Sequence, residues 1–555
     1  MNRNVESHFA ENPTSLDVSR SMFDRSSSVK FSANVGELIP FYVDEVLPGD
    51  TFQIETSKIV RLQTLLHPIM DNMYLDTYWF FVPNRLVWDH WKNFMGESNR
   101  AWTPSVTYAV PKISIPSAHP GVGSLADYMG IPLNVDVYSD GVNALPFRAY
   151  AKICEDWFRS QWLTDPLVIP TGDSTVTIGS KSDADIYCAN GGTVFHACKY
   201  HDYFTSCSIS TQFGDAVRIP TRYTNGQAKV GVGTDTHDGV VYGTNKMYLM
   251  RSKNAENQAY RTELHSVGGA YTWQAVLSDD ESTSTYYRPI NLWAQIGSAL
   301  GSINDLRIAF QVQKFLEKQL RGTRYIEVLK SQFGVTSPDA RLQRSEYLGG
   351  NRIPLSVHEV TNNTAGENDF LGDLGAMSRT VDVHDDFVHS FTEHGFVIGL
   401  MVVRYDHTYG QGLERFWLRN SIYDYYFPVF ANIGEQAVTT KEIFWQPGLD
   451  SEGERIFGYQ EAWADYRFKF SRVAGEMRPE ADNTLASWHL ADAYDPVGEP
   501  PTLSDSWIRE DPANVDRTLA VTSSVANQYF VDCFIKNICT RVMPVYSIPG
   551  LADHH

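Results

Sequence analysis

The chain has 555 residues, 43% of them apolar and 20% charged, with a formal net charge of −20. That composition excludes intrinsic disorder, and the length exceeds what one ordinary core supports, so large insertions or a second domain are expected. The acidic balance excludes a protein that wraps nucleic acid by charge alone, which would be basic.

Taken in chain order, residues 1–34 are polar and Ser-rich without a period, and are expected to form an arm that orders only against neighbours. Pro48-Gly49-Asp50 signals a turn. After it Phe52, Ile54, Thr56, Lys58, Val60 and Leu62 alternate with more polar residues, which predicts a strand with one mostly apolar face. Met73 to Val82 predicts a second strand, ended by Pro83. Four prolines between 100 and 123 predict a long ordered loop. Phe147, Tyr150, Ile153, Cys154, Trp157, Phe158 and Trp162 recur at three and four, an apolar helical stripe within 145–163. These elements make 35–207 the first part of the main domain.

Residues 208–288 are rich in Gly, Thr, Asn and Tyr, with short β-like runs at Val230–Val232, Val240–Tyr242 and Tyr271–Leu277. They read as a β-rich surface insertion. The main domain resumes over 289–555. Ser302 with Asp305 starts a helix that stops near Gly322, and a second helix runs from about Thr323 to Phe333, stopped by Gly334. Phe396–Tyr405, Glu461–Phe470 and Tyr529–Val542 read as strands. Strands so far apart in sequence require non-local antiparallel pairing, the demand of a Greek-key sandwich or jelly roll.

Motifs of chemistry are sparse. His358-Glu359 begins a zinc-protease motif, but Asn362 stands where the second His is needed. His384, His389 and His394 are five apart, a spacing that brings no shared face on helix or strand. No Gly-Lys dipeptide of a phosphate loop occurs, and no G-x-S-x-G elbow. Asp279-Asp280-Glu281 reads as a solvated turn. Six cysteines without a C-x-x-C pair suggest reduced thiols and no zinc framework. No catalytic residue, metal or cofactor is assigned. The apolar run Phe396–Val403 is too short to span a bilayer, and no signal peptide is visible, so synthesis and assembly in a cytosol are expected.

Basic residues interleave with aromatics at Arg148-Tyr150, Lys199-Tyr200-His201, Arg324-Tyr325 and Arg415-Phe416-Trp417-Arg419. Such pairs stack bases and hold phosphates, and equally suit subunit contacts. The DNA-facing candidates are Arg148, Lys199, His201 and Arg324. The interface candidates are Trp102, Arg415, Trp417 and Arg419. The receptor-facing candidates in the insertion are His237, Asp238, Tyr242 and Tyr271.

The chain closely resembles the major capsid proteins of gokushoviruses, a branch of the Microviridae. The resemblance rests on AWTP at Ala101–Pro104, LADYMGIP at Leu125–Pro132, VNALPFRAY at Val142–Tyr150 and KYHDYFTS at Lys199–Ser206. It continues through INDLRIAFQVQKFLE at Ile303–Glu317, the long run Gly322–Gly350, SFTEHGFVIGL at Ser390–Leu400, IGEQAV at Ile433–Val438, FGYQEAWADYR at Phe457–Arg467 and PVYSIPGLADH at Pro544–His554. These ordered matches span nearly the whole chain. The resemblance implies a mainly β protein: a single eight-stranded antiparallel jelly roll with long loop insertions and a few helices. It implies sixty copies in a T=1 icosahedral shell around circular single-stranded DNA, with the insertion forming a protrusion that meets the host receptor. The expected partners are further copies of the chain, the single-stranded DNA genome, a small basic DNA-associated protein, minor pilot and internal scaffolding proteins, and the host receptor, with no membrane insertion. The expected location is the virion, assembled in the bacterial cytoplasm. One departure is visible: Ser208–Gly214 lacks the prolines and the lysine usual there, so no role of that lysine carries over. Two rivals are a carbohydrate-binding jelly roll, which would form small soluble oligomers, and a glycan-cleaving β-fold enzyme, which would turn over substrate.

Overall fold

The computed structural model describes residues 19–97, 107–115, 119–133, 138–215, 217, 229–232, 250–253, 256–259, 262–267, 270–275, 292–295, 303–320, 322, 324–336, 343–361, 374–445, 455–495 and 499–546. The chain divides into two compact units. One is Gln212–Arg321; the other joins Met1–Thr211 to Gly322–His555.

The larger unit is built on two antiparallel sheets. The strands that form them are β1 (Ser21–Asp24), β2 (Ser27–Ala33), β3 (Ile39–Val46), β4 (Thr51–Leu62), β5 (Met73–Pro83), β6 (Glu346–Pro354), β7 (Thr380–Ser390), β8 (Gly395–Tyr405) and β9 (Tyr529–Arg541). The five-stranded sheet has β1 and β2 both paired to β9, then β4, then β7. The four-stranded sheet runs β6-β5-β8-β3. No two strands consecutive in sequence from β2 to β5 share a sheet, so the chain crosses between layers at every turn. The first crossing shown by sequence is Pro48-Gly49-Asp50. Gly49 takes a left-handed φ of 91° there, and Asp50 accepts from Leu47 N at 2.9 Å and Arg541 Nε at 2.9 Å.

The alternation in β4 is buried as expected: Phe52, Ile54, Thr56, Lys58, Val60 and Leu62 all face inward. The two polar members of that row find partners. Thr56 Oγ1 donates to Asp386 at 2.6 Å. Lys58 Nζ lies 3.3 Å from Thr77 Oγ1 on the opposite sheet and 3.3 Å from Asp382. Burying an ammonium without such partners would cost several kcal/mol. Between the sheets Trp79 is fully buried, edge-on to Phe41, Tyr42 and Phe387, with ring centroids 5.1, 5.4 and 5.7 Å apart. Gly399 on β8 makes room for it: a Cβ there would stand 2.8 Å from the Trp79 ring and 2.9 Å from Phe41.

The predicted helix is α1 (Leu145–Ile153), continued by a wider turn over Cys154–Phe158. It is buried on almost every side, and Tyr150 pins it: its hydroxyl donates to Leu38 O at 2.8 Å and accepts from Phe195 N at 3.0 Å. A second, smaller core gathers Tyr203, Phe204, Cys207, Tyr409, Val438, Ile443, Phe444, Phe457 and Ala464. In the unit Gln212–Arg321 three two-stranded antiparallel ladders are described. They pair Lys229–Val232 with Leu292–Gln295, Met250–Lys253 with Glu256–Ala259, and Thr262–Val267 with Ala270–Ala275. The helix α2 (Ile303–Leu320) follows, and α3 (Tyr325–Phe333) opens the return to the larger unit, ending at Gly334 with φ 70°.

Two expectations are corrected. Residues 21–33, assigned to an arm ordered by neighbours, pair with β9 of their own chain; their polar composition suits an edge strand, which needs only one apolar face. Glu461–Phe470 is not a strand. The strand there is Ile456–Glu461, after which Trp463 takes a left-handed φ of 66° and Ala464–Arg467 makes a helical turn. The indole of Trp463 donates to Phe430 O at 2.9 Å, a tertiary anchor that overrides the local alternation. The loop-like stretch 100–123 also contains a short strand, Lys112–Ile115, paired to Tyr138–Asn143. All six cysteines are free thiols, and five are buried.

Replacing Gly399 by Ala forces Trp79 or Phe41 to move within a close-packed core. We expect a loss of about 1–3 kcal/mol in unfolding free energy, measured by denaturant titration of the unassembled chain; an unchanged midpoint would show that the Trp79 packing is not tight.

Candidate assembly surface

The DNA-facing candidates do not form one surface. Arg148 is fully buried on α1, with Nη1 donating to Val87 O at 3.3 Å and Gly172 O at 3.0 Å. It cannot meet a phosphate without unpacking the helix. Lys199 is buried as well, 3.4 Å from Asp492 and 4.6 Å above the Trp507 ring. Arg324 is half-buried beside α3 and donates to Glu155 O at 2.7 Å. His201 alone of the four is exposed. The basic-aromatic pairs at Arg148 and Lys199 are therefore internal braces. Tyr200 shows the same use: Arg352 and Arg404 lie 4.1 and 4.4 Å from its ring, and both guanidinium groups bind Asp76.

Lys199 leads to a buried charge cluster that the sequence did not single out. His407 stands between Asp492, 2.7 Å from Nδ1, and Glu510, 3.1 Å from Nε2. Asn514 donates to Asp492 at 2.8 Å, and Tyr494 donates to it at 3.1 Å. Burial alone would lower the His407 pKa, but the two carboxylates outweigh it and push the imidazole up to about 10. Burial would raise Asp492; His407 and Lys199 hold it well below the usual carboxylate range instead. The cluster ties together four segments near 199, 407, 492 and 510. No local motif marks His407, because each partner comes from a different part of the chain.

The interface candidates Arg415, Trp417 and Arg419 do fall together, on an irregular segment over 414–433. It consists of three short turns, Arg415–Leu418, Ile422–Asp424 and Pro428–Phe430, none with a buried residue. Its polarity is inverted. The charged groups turn inward: Arg415 donates to Ala437 O at 2.9 Å and pairs with Glu442 at 3.5 Å. Arg419 pairs with Asp465 and lies 4.3 Å from the Tyr466 ring. Glu414 takes Arg472 at 3.0 Å and Lys469 at 3.4 Å. Asp424 accepts from Asn420 N and Ser421 N at 2.9 and 2.7 Å. The apolar groups turn outward: Trp417 is 67% exposed, Tyr423 73% and Val429 88%. Beside them a cavity of about 200 Å³ is lined by the aromatics Tyr203, Phe416, Tyr466, Phe468 and Phe470 and by the charged Glu414, Arg415, Arg419, Glu442, Asp465 and Lys469. Exposed apolar patches of this kind mark protein contact sites. Ile422, Tyr423, Val429 and Phe468 were missed at the sequence level. The signal was present in 421–430, an aromatic-rich apolar run with neither a helical nor a strand period.

Of the remaining candidates, Trp102, His237, Asp238 and Tyr242 lie outside the described residues. Tyr271 lies on the strand Ala270–Ala275, opposite Ser266. Among the described residues no group of three or more His, Cys, Asp or Glu is placed to hold a metal ion, and no helix is long and apolar enough to cross a membrane.

Comparison with known proteins gives one answer over nearly the whole chain. Residues 11–551 match the family model described as capsid protein (F protein). The capsid protein VP1 of Spiroplasma virus 4 is 40% identical over 530 residues, covering 93% of each chain. Capsid proteins VP1 of Chlamydia phage 1 and Bdellovibrio phage phiMH2K are each 36% identical, covering 99% of this chain and 98% of theirs.

The His407 cluster has a pH signature. The imidazole is raised in the fold above its usual value near 6.5, so its stabilisation is complete below that value and is lost as pH rises through about 10. Asp492 acts oppositely: its stabilisation holds above the usual carboxylate range and is lost as pH falls. His407→Gln should lower stability at pH 7 by about 3–5 kcal/mol, the cost of breaking a buried pair. It should also flatten the decline in denaturation midpoint between pH 7 and 10. A variant that keeps the wild-type slope would remove His407 as its source.

Proposed function

Because the chain belongs to the phage capsid protein (F protein) family, whose gokushovirus members it matches end to end, we propose that it assembles as sixty copies into a T=1 icosahedral shell enclosing circular single-stranded DNA. It is a structural major capsid protein of the virion, not an enzyme. The observation that carries the assembly reading is the inverted segment 414–433, which spends its charges internally and leaves its aromatics for a neighbour.

The two sheets support an eight-stranded jelly roll. With β1 and β2 taken as one strand position, eight positions divide four and four, in the order β2-β9-β4-β7 facing β3-β8-β5-β6. Consecutive strands lie in opposite layers except β5 and β6, which pair in one sheet, and that is the path of a rolled-up Greek key. Closed shells need heterologous contacts around five- and threefold axes and isologous ones at twofolds. At −20 per chain, copies repel one another and the genome. A small basic DNA-associated protein travelling with the genome answers that repulsion, with the exposed His201 and the half-buried Arg324 as local contacts on the chain itself. The pilot and scaffolding proteins complete the set of partners, and assembly takes place in the host cytoplasm. The unit Gln212–Arg321, which contains most of the 208–288 insertion, is the part that meets the host receptor, through Tyr271 and its neighbours.

The test is negative-stain microscopy and nuclease treatment of the purified full chain with its genome. Closed particles holding nuclease-protected single-stranded DNA are expected; small soluble oligomers with unprotected DNA would defeat the reading. Replacing Gln212–Arg321 by a Gly-Ser linker should leave the unfolding of the two-sheet unit nearly unchanged while abolishing adsorption to host cells. Loss of the soluble fold would instead place that unit in the core.

A further inference from the structure

We infer that the 414–433 surface is a reciprocal twofold contact between copies of this chain, in which Trp417 of each copy enters the aromatic-walled cavity of the other. The inference rests on the self-assembly reading and adds the surface, the partner and the symmetry.

Four observations carry it. First, the area is sufficient. Segments 416–433 and 466–468 expose eleven large apolar side chains; at roughly 100 Å² each they offer about 1,000 Å², against about 800 Å² per partner in a standard interface. Second, knob and hole lie side by side. Trp417 packs on Phe416 at 4.7 Å, and Phe416 is itself a wall of the cavity. A surface that carries both parts can meet itself about a twofold axis passing between them, each copy giving a knob and receiving one. Third, the hole suits an indole: its volume of about 200 Å³ is that of a large aromatic side chain, and five aromatic residues line it. Fourth, the charge logic favours a second copy over a basic protein or a nucleic acid. Every charge that lines the cavity is paired within the chain, Arg415 with Glu442, Arg419 with Asp465 and Lys469 with Glu414. A basic partner would need unpaired carboxylates, and DNA would need unpaired cations. Two chains of −20 each need a meeting surface without net charge, and the charged residues that line the cavity cancel: Glu414, Glu442 and Asp465 against Arg415, Arg419 and Lys469.

Trp417 and Phe468 are both more than half exposed, so Trp417→Asp and Phe468→Asp alter knob and hole without touching the core. The test uses sedimentation velocity of the full chain at micromolar concentration, with thermal unfolding as the control for folding. The wild type should form dimers or larger species. Each variant alone should unfold like the wild type and associate at least about a hundredfold more weakly, since both reciprocal contacts are lost. An equimolar mixture of the two variants should recover dimers. The intact Trp417 of one variant then meets the intact cavity of the other, restoring one contact of two. Wild-type-like association of either variant, a monomeric wild type, or a mixture no better than its components would overturn the inference. Particle formation separates the two levels. If the variants still close into DNA-filled shells, the twofold contact is wrong and the capsid reading stands. If the wild type makes no shells with its genome, the capsid reading itself falls.

Discussion

The structure depends on the pairing of β9, near the C-terminal end, with β4 and with β1 and β2 near the N-terminal end. Thirteen residues, Tyr529–Arg541, lie in the middle of the five-stranded sheet. Alternate side chains from Tyr529 to Cys539 enter the core while those between face out. Removing this strand would separate β1 and β2 from β4 and uncover the row that runs from Phe52 to Leu62. The ladder joins residues nearly five hundred positions apart, so loop-closure entropy must be met before its contacts stabilise anything. The five-stranded sheet can complete only once Tyr529–Arg541 has been made.

The second constraint is electrostatic. A chain this acidic keeps several of its cations out of solvent. Lys58 bridges the two sheets, Arg148 holds loop carbonyls, Lys199 and His407 neutralise Asp492 and Glu510, and Arg404, helped by the half-exposed Arg352, neutralises Asp76. Each cation joins elements that a purely apolar core would leave free to slide, because an ion pair has one satisfactory geometry and burial penalises every other. The acids buried with these cations are more numerous, Asp50, Asp76, Asp156, Asp386, Glu442, Asp492 and Glu510 among the described residues, so burial removes more negative than positive charge from the surface.

What was legible in the sequence follows from how local its cause is. The strands at 51–62, 73–83, 395–405 and 529–541 were readable because a half- or fully buried strand imposes its own pattern. The stops at Gly334 and the turn at Gly49 were readable because only glycine tolerates those backbone angles at no steric cost. The strands β6 and β7 were not, since Glu346–Pro354 contains two glycines and a register shift and Thr380–Ser390 alternates acids and histidines with valine on its outer face. The fate of the basic-aromatic pairs was not legible either. Arg148-Tyr150 and Arg415-Phe416-Trp417-Arg419 look alike in sequence, yet the first is sealed inside α1 and the second lines a surface. What separates them is the neighbour each meets in space: loop carbonyls for Arg148, but Glu442 and Asp465 for the arginines beside Trp417.

That contrast bears on how a shell of acidic subunits holds together. A contact built from exposed ion pairs between copies would weaken with salt and add desolvation cost at each of many interfaces. The 414–433 segment takes the other route. Its charges are satisfied before any neighbour arrives, so docking buries mainly apolar area and leaves the ion pairs in place. The segment carries no core residue in its three turns, so its own fold rests on the inward salt bridges and on the indole of Trp463. Those bridges cannot be surrendered to a partner without loosening the surface the partner needs. Individual contacts then stay modest and reversible, which lets misplaced subunits leave, while closure of the particle sums them into a stable whole.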